Sequence, residues 1–553
     1  MSTNPPLQRS NLLFGIDIRS LLLFRVALGI LVIWEVLKRW PLVDLFYTEH
    51  GVVPRWLQLL HLEGPYTFSL HMAHGGSVFV HLLMLAMLLS GVALVLGFRT
   101  RLATGLSWLL LLSLLARNTL VVTGADSLLL LLLFWACFLP LGAHFSLDAR
   151  DRSIGFSSVP MPGSLQVRSP ATVAVQVQML LMYVFTAILK NDPAWHADGT
   201  AIYYALQFDA IVRPLGQVVL DYPTLMKFGT FAVLALEFAA PLMLFSFWKA
   251  RIRTFMVFAL MAMHIGILLT MDVGLFSYCS MAGLMVFLPT TFWDKIWPLP
   301  SSSESLQEDS MPSFPSQGGV GYNIQKAVVL VALVIVVWWN VGMLFPKTKM
   351  PDLLYRGAQS LGLSQSWHMF APKPPVYDGW FWAPGKTKDK QQVELFKWLN
   401  HGIIETTAKS DKPARVADTF GDHLMMVYFI GLSERKRYDS DGTLTKPLLK
   451  ALGTYVCERW NSTQPSSKWL LEFSLYFFGE QTMPPGKEPL RKKHLLWKQK
   501  CKLPKPKGCC SGAVGVVHVP QVEVSKEKKQ KNPVQRATST SRPAPKASVQ
   551  GQP

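Results

Sequence analysis

An ionisable side chain inside an apolar stretch is costly to bury, so it marks where a membrane-type chain can do chemistry. Four such residues stand out. Lys190 closes the run QVQMLLMYVFTAIL and is followed by Asn191, Asp192 and Pro193. Glu237 lies in LALEFAAPLML, shortly before Pro241. His264 sits midway in MAMHIGILL, and Asp126 opens the apolar run that follows VVTGA. A lysine shielded from water loses part of its preference for the charged form and can serve as a base, whereas a nearby carboxylate holds it protonated. One reading gathers Asp126, Lys190 and Glu237 at the outer end of a bundle cavity. Each residue also has a purely structural role open to it. Lys190 can snorkel to the headgroups and complement the helix dipole. Asp126 can cap a helix, with Ser127 beside it. Glu237 and His264 can hydrogen-bond to each other between helices.

The elements that must position these residues are helices. Nine apolar runs are candidate spans: Leu21–Leu37, Val78–Leu96, Leu102–Leu115, Ser127–Leu141, Val173–Leu189, Met226–Phe245, Phe255–Thr270, Leu275–Leu288 and Ala327–Leu344. Several fall short of the roughly 20 residues that a simple crossing needs. Met271-Asp272-Val273-Gly274 barely separates two of them, which reads as a tight helical hairpin or, alternatively, one broken helix. Pro193 and Gly199 stop the helix that carries Lys190. The expected architecture is a mainly α, polytopic helical bundle over residues 1–296. A Ser/Pro/Gly-rich linker (297–322), a last span (323–346), a compact extramembrane region (347–485) and a disordered basic tail (486–553) follow it. In 347–485, ELFKWL, HLMMVYFIGL and KWLLEFSLYFF suit strands or short helices equally. Basic loops place the N-terminus in the cytoplasm and Lys190 with the C-terminal region on the outer or lumenal face of a plasma (inner) membrane or endomembrane.

Charge supports this division. The chain has 553 residues, is 50% hydrophobic and carries a formal net charge of +19. About 20 of its 54 Lys/Arg and 18 of its 35 Asp/Glu precede residue 346, so nearly all the excess lies after it. A basic tail suits anionic lipid or polyanions. It lacks the interleaved aromatics of a nucleic-acid platform, and no nucleic-acid partner is expected. Phosphate-loop, zinc-helix and nucleophile-elbow motifs are absent. His50, His61, His71 and His74 are too dispersed for a metal set, and none of the six cysteines shows zinc-finger spacing.

Six stretches occur in a familiar order: HGVVPRW, RNTLVVTGADSLLLLLLFWACFLPLGAHFSLD, MYVFTAILKNDPAWHADGTAIYY, LEFAAPLML, MHIGILLTMDVGLFSYCSMAGLMVFLP and QSWHMFAPKPPVYDGW. Together they resemble the horizontally transferred transmembrane (HTTM) domain family, whose best-known relative is the vitamin K-dependent gamma-carboxylase. The likeness covers about residues 15–295, with more at 364–382. It implies a membrane enzyme that uses reduced vitamin K or another quinol, with oxygen, to modify a peptide or small molecule. The family's Tyr, Lys, Asp and Trp pattern maps onto Tyr183, Lys190, Asp192 and Trp195, which makes Lys190 the implied base. Asp126 becomes its electrostatic partner. Trp195, Tyr203 and Tyr204 are implied to line the quinone pocket, together with Glu237 and His264. One departure matters: where the carboxylase has an Asn-His pair, this chain has Ala125-Asp126. The alternative is a non-catalytic accessory protein for an exported peptide.

Overall fold

All nine apolar runs fold as helix in the computed structural model, but they differ in reach. The structure describes residues 14–61, 68–150, 166–245, 250–298, 320–345, 347–348, 350–406, 410–439 and 442–503. Most of the expected linker and all of the tail beyond 503, with Cys509 and Cys510, lie outside these. The helices are α1 (Ile18–Arg39), α2 (Ser77–Leu96), α3 (Thr100–Arg117), α4 (Gly124–Ala136), α5 (Pro170–Leu189), α6 (Pro223–Ala239), α7 (Ala250–Thr270), α8 (Phe276–Leu284) and α9 (Val320–Leu344).

Among the described residues, five stretches are long and apolar enough to cross a membrane: Ile18–Phe46, α2, α5, α7 and most of α9. The expected count of nine is therefore not reached on length and composition. At 13 and 9 residues, α4 and α8 are short, and α3 carries arginines within an 18-residue helix. Large apolar side chains such as Leu82, Leu89, Phe228, Phe255, Leu269 and Val334 are exposed on the outside of the bundle, as a lipid solvent requires.

Local sequence sets the helix ends. Ser169 and Thr172 form a capping box at the start of α5, with Pro170 at the first helical position. Thr123 and Asp126 form another that starts α4. Asp126 is thus the third helical residue and Thr123 the cap, a shift of three positions from the expected arrangement. The close approach of α1 to α2 depends on Gly29, where a Cβ would lie 2.8 Å from the Gly91 carbonyl oxygen. Separate helices α7 and α8 pack against each other across residues 271–274, which is the hairpin of the two readings.

The C-terminal region mixes both element types. ELFKWL forms most of α10 (Leu395–His401), and HLMMVYFIGL begins α11 (His423–Tyr438), which is followed by α12 (Thr445–Thr463). KWLLEFSLYFF is mostly strand. Strands β1 (Tyr377–Trp382), β2 (Pro384–Thr387), β3 (Gln392–Glu394), β4 (Leu470–Gln481) and β5 (Leu490–Lys500) form an antiparallel sheet. Central β4 pairs with β1, β2 and β5, with Trp380 opposite Phe478 and Phe478 opposite Lys493. The tail therefore does not begin at 486: β5 extends the sheet, and Cys501 just beyond it is disulfide-bonded to Cys457 on α12. One hydrophobic core runs from α1 to β5, and the described chain belongs to one compact unit, Met1–Pro504.

Candidate functional site

Lys190 follows the last residue of α5, where its N–H donates to the Ala187 carbonyl and the helix stops before Pro193. Tyr183 and Thr186 precede it at helical spacing on the same face. The ammonium does not reach outward. It is buried, and donates to both carboxylate oxygens of Glu237 on α6, at 2.6 and 2.7 Å. The Trp195 ring lies 4.4 Å away on a further side, a cation–π contact strengthened by desolvation. The snorkelling reading thus gives way to a buried ion pair, because Glu237 points inward from the neighbouring helix.

His264 does not bond to Glu237. Its Nε2 shares a hydrogen bond with the Tyr183 hydroxyl at 2.8 Å, and its Nδ1 is buried without a partner. The Thr186 hydroxyl is likewise buried and unpartnered among the described residues. Lys190, Glu237, Tyr183, His264, Thr186 and Trp195 all border one cavity of about 770 Å³, whose remaining walls are chiefly apolar. Most of those walls come from α5, α6 and α7.

The roof comes from the C-terminal region. His368, Met369, Phe370 and Pro375 close the cavity from the QSWHMFAPKPP stretch. Trp195 Nε1 donates to the Phe370 carbonyl at 3.0 Å. Deeper in, Gln178 on α5 donates to Gln365 Oε1 at 2.8 Å, and the same oxygen accepts from Trp367 Nε1. Trp339 on α9 donates to the Gln365 carbonyl at 2.8 Å. A single glutamine thus joins the roof to two membrane helices, through its side chain and its backbone carbonyl.

Asp126 is not part of the Lys190 set. Its Oδ1 accepts from Arg39 at 2.6 Å, and its Oδ2 accepts from the Thr123 N–H and hydroxyl. Arg39 also bonds Glu35 and the Tyr47 hydroxyl, and Lys38 Nζ lies 3.4 Å from Glu35, so a second buried network of two carboxylates, one guanidinium, one ammonium and one phenol lies beside the cavity. Only the residues just before Asp126, Gly124 and Ala125, form cavity wall. The expected partnership of Lys190 with Asp126 is replaced by Lys190 with Glu237, because the capping box turns the Asp126 carboxylate toward α1.

Tyr203 and Tyr204 also fall outside the lining. Their neighbours Ile202, Ala205 and Leu206 face the cavity, while the Tyr203 hydroxyl donates to the Met483 carbonyl at 3.3 Å. Thr186 and His368 are the additions that the sequence reading did not single out. The signal for Thr186 was its place one turn before Lys190 in an otherwise apolar run.

The sequence model of the HTTM domain matches residues 15–293, just over half of the chain. No curated protein and no solved structure matches it.

Proposed function

The chain belongs to the HTTM domain family and is an integral membrane protein; from that premise we propose that its cavity binds a membrane-soluble quinol and that the Lys190–Glu237 pair takes a proton from it. The product acts on a peptide or small molecule at the outer face. The observation that carries this reading is the space itself: an apolar cavity bordered by a buried ion pair. A packed scaffold needs no such space.

The residues present fit a flat ring with polar groups and an apolar tail. Thr186 and His264 stand in the lining beside the ion pair, and Trp195 offers a ring face. Between α6 and α7 the lining is small, with Gly229, Ala232 and Gly266; the last two are exposed. This is where a tail reaches the lipid. A bound quinol would supply an acidic ring hydroxyl and the electrons that reduce oxygen.

Charge balance then assigns roles. The pair holds one positive and one negative charge. A proton accepted on a Glu237 carboxylate oxygen leaves a net positive charge on Lys190 Nζ, beside the oxygen that lost the proton. The base is thus the pair, with Glu237 as acceptor and Lys190 as counter-charge. Ala125 brings no imidazole to the α4 wall, but His264 brings one from α7.

Turnover in nanodiscs tests this. Protein supplied with a naphthoquinol, oxygen, bicarbonate and glutamate-containing peptides should yield quinol epoxide by mass spectrometry, and Lys190→Ala should not. Absence of epoxide from folded wild-type protein would turn the reading toward an accessory role. Gly266→Leu probes the tail slot independently. No atom lies within 4 Å of the position a Cβ would take there, so the added side chain enters free space. Quinol affinity, read by tryptophan quenching, should fall about tenfold with thermal stability unchanged; an unaltered affinity would remove the tail from this cleft.

The orientation belongs to the same reading: N-terminus in the cytoplasm, C-terminal region outside. Five and nine crossings are both odd, and the Cys457–Cys501 disulfide suits an oxidising compartment. Protease access to tags at either end in sealed vesicles tests it.

A further inference from the structure

The junction between the membrane helices and the C-terminal region is built on carboxylates. On the membrane side, loops 207–213 and 270–274 are tied into one frame. The Arg213 N–H donates to the Thr270 carbonyl at 2.9 Å, and the Asp272 N–H to the Ile211 carbonyl at 2.7 Å. Thr270, Met271 and Val273 of this frame are cavity wall.

The C-terminal region grips the frame at two points. At the first, the Asp209 N–H donates to Oδ2 of buried Asp378 at 2.6 Å. Lys412 bridges Asp209 at 2.6 Å and Glu480 at 2.9 Å. Glu480 lies opposite Asp378 across β1 and β4, and Arg491 of β5 holds its other oxygen at 2.8 Å. At the second, His423, the first residue of α11, has Nδ1 3.5 Å from Asp272 Oδ1, with Arg213 Nη2 3.7 Å from the same oxygen.

Counting charge gives the direction. With Asp378 ionised, three carboxylates (Asp209, Asp378 and Glu480) face two cations (Lys412 and Arg491) around a largely buried junction. With Asp378 protonated, two face two. At this first point the added proton favours contact.

We infer that this junction is a proton-operated latch: protonated Asp378 holds the C-terminal region on the cavity frame, and loss of that proton loosens it. Burial, and after it the charge of Asp209, push Asp378 up to about 7, against the pull of the Asp209 N–H and Lys412. An exposed aspartate titrates near 4, as a rough reference. The docked value is the raised one, so the contribution of Asp378 to docking is complete below about 4 and is lost as pH rises through about 7. Asp272 does not switch in this window. Burial raises it, but His423, the Gly274 N–H and Arg213 outweigh burial and hold it at about 2. The consequence for ligand access rests on the cavity reading; the latch does not.

Hydrogen–deuterium exchange on the full chain in nanodiscs tests it, with rates normalised to the intrinsic exchange at each pH. Peptides covering 207–213, 270–274 and 376–382 should lose roughly tenfold protection between about pH 5 and about pH 8, while peptides in α1 and α2 stay level. Asp378→Asn keeps an acceptor for the Asp209 N–H but cannot ionise, and should hold high protection with little slope. Asp209→Asn removes the repulsion from the other side and should reduce the slope even if the first variant misfolds. A wild-type profile without slope, or the wild-type slope retained in both variants, overturns the latch. Failure to bind quinol would leave these profiles untouched, so the two readings fail separately.

Discussion

Glu237→Leu alone is expected to lower unfolding free energy by about 3–5 kcal/mol, because it strands the Lys190 ammonium in an apolar wall. Lys190→Met alone strands the carboxylate and should cost a similar amount. The double variant Lys190→Met/Glu237→Leu removes both charges and replaces them with apolar groups of related size. Its loss should fall short of the sum by about 2–3 kcal/mol. Activity should behave differently. All three variants lack the proton acceptor, its counter-charge or both, and each should lose about 10²–10⁴-fold in quinol turnover. Tryptophan-monitored thermal unfolding in detergent reads the first quantity and epoxide formation the second. A double variant that is stable yet inactive would separate the pair's chemical role from its structural one. A double variant as active as wild type would sink the proposed role outright.

The second large effect belongs to Arg39. Its guanidinium is fully buried and neutralises Glu35 and Asp126 while donating to Tyr47. Arg39→Met leaves two buried carboxylates facing each other with only Lys38, 3.4 Å from Glu35, to offset them, and about 3–5 kcal/mol of stability should go with it. Arg39→Lys should recover only part of that, because one ammonium cannot reproduce the planar fork that reaches all three partners. Combining Arg39→Met with Glu35→Gln removes one of the two charges and should restore some of the melting temperature. The loss should extend to quinol binding even at temperatures where the protein stays folded. Asp126 fixes the first turn of α4, and that turn supplies Gly124 and Ala125 to the cavity wall. Unchanged melting of Arg39→Met would mean that the network carries no net stability.

These two networks show where sequence is informative and where it stops. Lys190, Glu237, His264 and Asp126 are legible as candidates because charge inside an apolar run is rare for a physical reason. Which of them meet is not legible. Lys190 and Glu237 are 47 residues apart, and their meeting depends on the rotation of α5 against α6 rather than on any local pattern. Asp126 reads equally as cap or partner; the capping box decides it only once Thr123 is seen to be the N-cap. Arg39 reads as the basic end of a span, and nothing in the sequence says that the helix continues and turns it inward. Tyr203 and Tyr204 fail for a simpler reason. Their helix has one turn, and the face that meets the cavity belongs to Ile202, Ala205 and Leu206. In the C-terminal region, alternating and continuous apolar runs of similar length fold as β4 and α11, so period alone could not assign them. The strand β5, rich in lysine and arginine, reads as tail because its exposed edge needs charge.

The matched domain ends at residue 293, whereas His368, Met369, Phe370 and Pro375 arrive from beyond it. The roof thus lies outside the matched domain, whereas the Lys190–Glu237 ion pair beneath it lies inside. Floor and ceiling come from different parts of the chain, joined through Gln365 and through the Trp195 bond to the Phe370 carbonyl.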